Sequence, residues 1–210
     1  MKTYSTNLYI IGAGGHARVI MASAMRLGRE GFFISKEATA DLRSLPEGDF
    51  LTKYAAGELN GSVICGVGSV GASSVRGQIM ASYIAAKCIF ASIIDPSATI
   101  SEDVVIGEGT YVSQGAQIVA GAMIGRHCIL NTGSIVDHDC KIGDETHIAP
   151  GAVVLGGVTL GVGVLIGAGA VIRQGLSIGD GVVIGAGAVV TRSIENSESM
   201  WFGVPARQVF

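Results

Sequence analysis

From Ile94 to Val190 every sixth residue is a branched aliphatic, 17 in succession: Ile94, Ile100, Ile106, Val112, Ile118, Ile124, Leu130, Val136, Ile142, Ile148, Val154, Leu160, Ile166, Ile172, Ile178, Ile184 and Val190. A fixed short period rich in β-branched residues specifies a coiled parallel β-solenoid, each repeat giving one short strand and one corner. Two places before most of these aliphatics stands a smaller side chain (Ala98, Val104, Thr110, Ala116, Ala122, Cys128, Ser134, Cys140, Thr146, Ala152), which period-2 alternation also turns inward. Gly follows the aliphatic at 107, 125, 143, 161, 167, 179 and 185, positions read as the turns. Three hexads close a triangular coil, so residues 18 apart stack about 4.8 Å above one another. The register has no insertion. No long loop leaves the prism, and an active site has to use a flat face together with a neighbouring chain or domain.

Residues 1–91 follow another pattern. Asn7–Gly12 reads as a buried strand, Gly12-Ala13-Gly14-Gly15-His16 as a turn, and Ala17–Leu27 as a helix. A second strand follows at Gly31–Ser35, then an irregular or mixed stretch (Leu42–Gly61), a third strand (Ser62–Gly66), a helix (Ser69–Ala86) and a short last strand (Cys88–Phe90). Alternating strands and helices give a small parallel α/β domain of Rossmann type. The chain therefore divides into an α/β domain (1–91), an all-β solenoid (92–194) and a tail (195–210). The glycine-rich turn lies between strand and helix, where backbone N–H groups and the helix dipole favour a phosphate. The third glycine of a dinucleotide fingerprint is Ala17 here, and Ser35-Lys36 stand where a ribose-binding acid belongs, which argues against ordinary NAD binding.

Composition narrows the partners. A net charge of −3 offers no electrostatic footprint for nucleic acid or for a membrane surface. No apolar run reaches about 18 residues and Met1–Gly12 has no signal-peptide pattern, so the expected compartment is the cytoplasm. The four cysteines (65, 88, 128, 140) have no metal-binding spacing, and Cys128 and Cys140 fall on the inward track as core filler.

Three histidines lie on the prism. His127 and His147 are assigned outward positions before an aliphatic, and His138 a corner, in Asp137-His138-Asp139. An imidazole between two carboxylates is exposed enough to react and has partners to raise its basicity and fix its tautomer. Adding one coil to His138 gives Gly156, whose backbone N–H is a candidate oxyanion donor; base and donor together suit acyl transfer. His147 is half a coil from His138 and faces another side, so the two converge only if a second copy supplies one. Above Asn131 stack Ala149, Gly167 and Gly185, a column of small residues along which an extended ligand can lie. Cys140 points inward, where burial raises a thiol's pKa, so direct transfer is preferred to a thioester enzyme. The histidine spacings of 11 and 9 lack the H-x4-H pair of zinc-binding solenoid carbonic anhydrases, and no metal is expected.

Ile-Ile-Gly-Ala-Gly-Gly-His at 10–16, Asn131-Thr132, Val136-Asp137-His138-Asp139-Cys140, Ile142-Gly143-Asp144, His147 and Phe202-Gly203-Val204-Pro205-Ala206-Arg207 together resemble one family. It is that of bacterial hexapeptide-repeat sugar acetyltransferases with a Rossmann-like front domain. Its members include sialic-acid O-acetyltransferases and N-acetyltransferases of nucleotide-linked 4-amino sugars, as in bacillosamine and perosamine pathways. The resemblance implies a left-handed β-helix and a homotrimer with each active site between two subunits. By position it implies His138 as general base, Asp139 as its orienting carboxylate, and Asp137 lining the acceptor pocket. Asn131, His147 and the Gly156 amide would face acetyl-CoA, with Gly156 polarising the thioester carbonyl and Ala168 along the pantetheine track. Gly14, Gly15 and His16 would approach the sugar nucleotide, His16 near its phosphates. The departure is Ser35-Lys36-Glu37, where relatives acting on nucleotide sugars carry acids, so recognition of base or ribose differs. The expected activity is acetyl transfer to the amine of a nucleotide-linked amino sugar. Sugar O-acetylation and a non-catalytic sugar-nucleotide-binding protein stay open as alternatives.

Overall fold

The computed structural model describes residues 7–36, 43–68 and 75–209. The apolar run Leu8–Ile11 forms β1 (Asn7–Ile11), buried on both faces as the interior strand of a parallel sheet must be. It is followed by α1 (Gly15–Arg26), β2 (Glu30–Ser35), β3 (Ser44–Pro46), α2 (Glu47–Ala55), β4 (Ser62–Cys65) and α3 (Val75–Ala85). The strand order is β3-β2-β1-β4, all parallel. Alternation along β1 splits the packing. Leu8 and Ile10 join Ala17, Ile20 and Ala24 of α1 on one face, while Tyr9 and Ile11 join Phe50 of α2 and Tyr83 of α3 on the other.

The details move some expected boundaries. α1 begins at Gly15, two residues before the expected start, which puts His16 in its first turn. The stretch taken as irregular or mixed contains β3 and α2. Pro46 ends the strand, Glu47 and Asp49 in the first turn suit the helix dipole, and Phe50 is fully buried. Part of the helix expected over Ser69–Ala86 lies outside the described residues, and α3 is its remainder. Cys88–Phe90 makes a single bridge, Phe90 to Val63, rather than a strand.

From Ile93 the chain winds as a solenoid of two-residue strands in three sheets of eight, six and five strands; all pairs are parallel except the last in the sheet of eight, where the tail strands Met200–Phe202 and Arg207–Gln208 run antiparallel. Within the repeats, partners are one coil apart, as in Tyr111–Ile129–His147–Leu165. The inward aliphatics from Val112 to Val190 are at most 4% exposed. Ile94 is 38% exposed and Ile100 and Ile106 are half-buried, because no coil lies below the first. At the other end Trp201, in the strand Met200–Phe202, pairs with Ile184 and is buried against the core, closing the prism. The four cysteines are free and buried.

The glycines after each aliphatic are not the turns. A Cβ on Gly107 would lie 2.6 Å from the Gly125 carbonyl carbon and one on Gly143 2.4 Å from the Gly161 oxygen, so these glycines allow close stacking of coils. The turns come two residues later, in left-handed backbone conformation, and most are Gly, such as Gly121 (φ 74°) and Gly157 (φ 69°). Three are not: His127 (φ 56°), Asp139 (φ 59°) and Glu145 (φ 60°).

The α/β domain sits on the eight-stranded face. Leu8, Ile10 and α1 share one buried cluster with Ile93, Tyr111 and Ile129 of the solenoid. On the other side of that junction, Arg76 of α3 donates to the carbonyl of His127.

Candidate active site

His138 occupies the corner between the strands Ile135–Val136 and Lys141–Ile142. Its own backbone N–H donates to Asp137 Oδ1 (2.8 Å), and its Nδ1 lies 2.9 Å from Asp139 Oδ2. The left-handed backbone at Asp139 turns that carboxylate back toward the ring, and Gly121 makes room for it: a Cβ there would lie 2.6 Å from Asp139 Oδ1. Asp and Asn tolerate this conformation better than most residues. The hydrogen bond to Asp139 and the nearby charge of Asp137 raise the His138 pKa. An ionised carboxylate only accepts, so Nδ1 carries the proton and Nε2 keeps its lone pair. Nε2 lies 4.0 Å from Asp137 Oδ2, which places Asp137 beside the basic nitrogen.

One coil on, Gly156 lies under the imidazole. A Cβ at this residue would come 2.4 Å from His138 Nε2 and 2.5 Å from Cε1, so the ring can occupy this place only above glycine. Gly156 is buried, and its N–H has no acceptor among the described residues. A basic nitrogen and a preorganised donor thus stand together at one corner, the minimal apparatus for attack on a carbonyl and for holding the resulting oxyanion.

A second group lies on the face beneath the α/β domain. His147 is buried, and Asn131 Nδ2 is 3.2 Å from its Nε2. The Asn131 Oδ1 accepts the Thr132 N–H at 2.8 Å, which fixes the amide orientation. Because the NH2 group only donates, His147 Nε2 is the acceptor and its proton is on Nδ1. Ala168 is exposed at the adjoining corner. His16 stands edge-on to Tyr111 (ring centroids 5.6 Å apart), its Nε2 buried without a partner among the described residues. Burial, with the charges of His147 and Arg76 added, lowers its pKa to about 4. His16 is therefore neutral at physiological pH and would meet a phosphate by hydrogen bonding, not by charge. Gly14 and Gly15 are exposed with open space around them.

The predicted residues thus form two clusters, His138–Asp139–Asp137–Gly156 and Asn131–His147 with His16, on different edges of one prism. His127 differs from its expected outward strand position. It is a corner residue, buried against Phe90 (centroids 4.7 Å apart), and desolvation first, then Arg76, lowers its pKa. Burial raises the Cys140 thiol, in keeping with a core role. Sequence reasoning does not reach Arg76 or Tyr111, because neither lies in a motif; an aromatic outward residue in a hexad is the one available sign of Tyr111. Among the described residues no group of three or more side chains has metal-ligating geometry, and no helix is long and apolar enough to cross a membrane.

Residues 121–156 and 157–192 match the bacterial transferase hexapeptide (six repeats) family. No curated protein matches. The acetyltransferase domain of PglB from Neisseria gonorrhoeae is 31% identical, with 98% of this chain and 100% of that chain aligned and a TM-score of 0.87; it has also been solved with acetyl coenzyme A. PerB from Caulobacter crescentus, solved with CoA and GDP-perosamine, is 30% identical over 97% of each chain (TM-score 0.88). Variants of that perosamine N-acetyltransferase with one histidine replaced by Asn or Ala also hold CoA and GDP-perosamine. WeeI from Acinetobacter baumannii is 28% identical over 96% of this chain and 99% of its own (TM-score 0.85).

Proposed function

The chain belongs to the hexapeptide-repeat transferase family, among sugar acetyltransferases with an N-terminal α/β domain, and on that premise we propose that it is an acetyl-CoA-dependent N-acetyltransferase of a nucleotide-linked amino sugar. The observation that carries this reading is the His138 imidazole, hydrogen-bonded to Asp139 at 2.9 Å and lying on Gly156. The neutral sugar amine attacks the thioester carbonyl, forming the C–N bond, while His138 Nε2 takes the amine proton. The Gly156 N–H holds the oxyanion. Collapse breaks the C–S bond, and the proton passes from His138 to the departing CoA sulfur. Asp139 orients the ring and stabilises the imidazolium; a positioned general base contributes about 10²–10⁴-fold.

Asn131 and His147, with Ala168 and the small-residue column, hold acetyl-CoA, while Gly14, Gly15, His16 and Asp137 receive the acceptor. Since the two clusters lie on different edges, a site that uses both needs two copies, and a homotrimer supplies three such sites. The relatives solved with an amino-sugar nucleotide favour the amine over a sugar hydroxyl as acceptor. The expected setting is cytoplasmic, in polysaccharide biosynthesis.

Two measurements test this. CoA release is followed with acetyl-CoA and a panel of nucleotide-linked 4-amino-dideoxy sugars against free sialic acid; turnover only with sialic acid would replace the amine by a hydroxyl. His138→Ala and His147→Ala are then mixed after co-refolding. Recovery of activity is expected if a site draws on two copies, and its absence counts against the shared site.

A further inference from the structure

A line of hydroxyls, buried as far as Ser113 and ending at the exposed Thr132, joins the α/β domain to the Asn131–His147 pair. It starts at Asp95, fully buried where the solenoid begins. Its carboxylate accepts from Arg26 Nη1 (2.8 Å), Ser23 Oγ (2.6 Å), and Ser97 through Oγ (2.6 Å) and N–H (2.9 Å). Burial alone would raise its pKa, but the hydrogen bonds from Ser23 and Ser97 and the Arg26 charge prevail and lower it. From Ser23 Oγ the line continues to the Tyr111 hydroxyl (2.8 Å), Ser113 Oγ (3.3 Å) and Thr132 Oγ1 (3.1 Å). Ser23, Tyr111 and Ser113 are each 0% exposed. Thr132 N–H then holds Asn131 Oδ1 at 2.8 Å, and Asn131 Nδ2 meets His147 Nε2.

Counting protons gives the line a direction. A carboxylate accepts only, and a hydroxyl has one proton to donate. Ser23 gives its proton to Asp95, so across the 2.8 Å contact Tyr111 is the donor, in preference to the Val19 carbonyl at 3.4 Å. The phenolic O–H also donates toward Ser113 Oγ (3.3 Å), which leaves the Ser113 proton for Thr132 Oγ1 (3.1 Å). The Thr132 hydroxyl, accepting from Ser113, turns its own proton toward Asn131 Oδ1 at 3.5 Å, beside the shorter bond from the Thr132 N–H at 2.8 Å.

We propose that Ser23, Tyr111 and Ser113 are positioning residues: the buried carboxylate of Asp95 sets the direction of a hydroxyl chain that holds Thr132, and through it the Asn131 amide and the Nδ1–H form of His147, in a single arrangement. The α/β domain, which receives the acceptor, thus also orders the groups that face the coenzyme. The structural part stands on the geometry above; only its kinetic consequence rests on the reading of Asn131 and His147 as acetyl-CoA contacts.

The test uses the full chain with ¹⁵N-labelled histidine, with His147 assigned by its disappearance in His147→Gln. In the wild type, ring-nitrogen shifts at neutral pH should report one tautomer, with Nε2 unprotonated. Tyr111→Phe keeps the ring packed on His16 and deletes one hydroxyl; Ser113→Ala breaks the line one step further on. Each should give a mixture of tautomers and raise the KM for acetyl-CoA about 3- to 10-fold, the effect of one hydrogen bond, with kcat within about 2-fold. Ser113→Thr, which restores a hydroxyl, should regain the single tautomer. Unchanged His147 shifts in both variants overturn the proposal, as does a fall in kcat at constant KM. If Tyr111→Phe does not fold, Ser113→Ala decides alone. If the wild type releases no CoA, the assigned activity fails, while the nitrogen shifts still judge the hydroxyl chain.

Discussion

Replacing Gly156 by alanine adds one methyl group in the space the His138 imidazole, the proposed general base, fills. The new Cβ would lie 2.4 Å from His138 Nε2, 2.5 Å from Cε1 and 3.0 Å from Cδ2, whereas carbon atoms prefer about 3.5–4.0 Å. The ring must therefore retreat by about 1 Å or more. His138 is exposed, so it can swing outward, and Gly156 is not among the residues in left-handed conformation, so alanine fits its backbone. The fold should lose at most about 1 kcal/mol. Activity should lose far more. A swing of that size stretches the 2.9 Å bond to Asp139 beyond hydrogen-bonding range and lifts the base off the donor below it. Misplacement by about 1 Å costs on the order of 10²-fold, and that is the loss expected in kcat, read as CoA thiol released per active site. The double variant with His138→Ala supplies the control. Both changes act through one imidazole, so Gly156→Ala should cost almost nothing more once His138 is gone. A Gly156→Ala enzyme with wild-type kcat, or a full second loss on top of His138→Ala, would refute the stacked base.

Asp139→Asn removes the charge-assisted bond that raises the His138 pKa; the acid limb of kcat/KM should move to lower pH, and the rate plateau should drop about 10- to 100-fold because the base is weaker and less well oriented. Asp95 has a lowered folded-state pKa, so its contribution to stability is present above its unfolded value near 3.8 and is lost as pH falls through the folded value. Asp95→Ala should accordingly cost about 2–4 kcal/mol at neutral pH, and in urea titrations the gap to wild type should close with acidification below about pH 4; a constant gap would mean the carboxylate acts by packing alone. Trp201→Ala uncaps the prism and should cost about 3–5 kcal/mol, measured as a lower urea midpoint, with KM for the acceptor unaffected.

The solenoid was legible because its core depends on a single short-range rule: period 6 with alternation places every inward residue without knowledge of the rest of the chain. The α/β domain was less so. Its helix α2 is nine residues long with one fully buried side chain, too few to stand out from Pro46 and the polar residues around it. Where two parts of the chain meet, local patterns say nothing at all. The assembly of Ser23, Asp95 and Tyr111 brings together residues up to 88 positions apart, and each one alone looks like an ordinary polar or aromatic residue. His16 shows the same limit: a motif places it beside a glycine-rich turn, but only its burial against Tyr111, near the charges of His147 and Arg76, reveals that it is neutral.

The left-handed corners offer a sharper rule than the histidine count. The solenoid repeats this strained conformation at nearly every coil and fills it with glycine wherever nothing else is at stake, since other residues pay about 1–2 kcal/mol there. Departures from glycine therefore carry information. Asp139 orients His138; Glu145 lies against Gly77 of α3, where an added Cβ would be 3.1 Å from its Oε2; and His127 packs on Phe90 while its carbonyl takes Arg76. One departure thus holds the proposed base and two serve the seating of the α/β domain. The rule also separates His127 from His138, which composition does not: the first occupies the strained corner itself and is buried, while the second precedes it and is presented to solvent by the turn its neighbour makes.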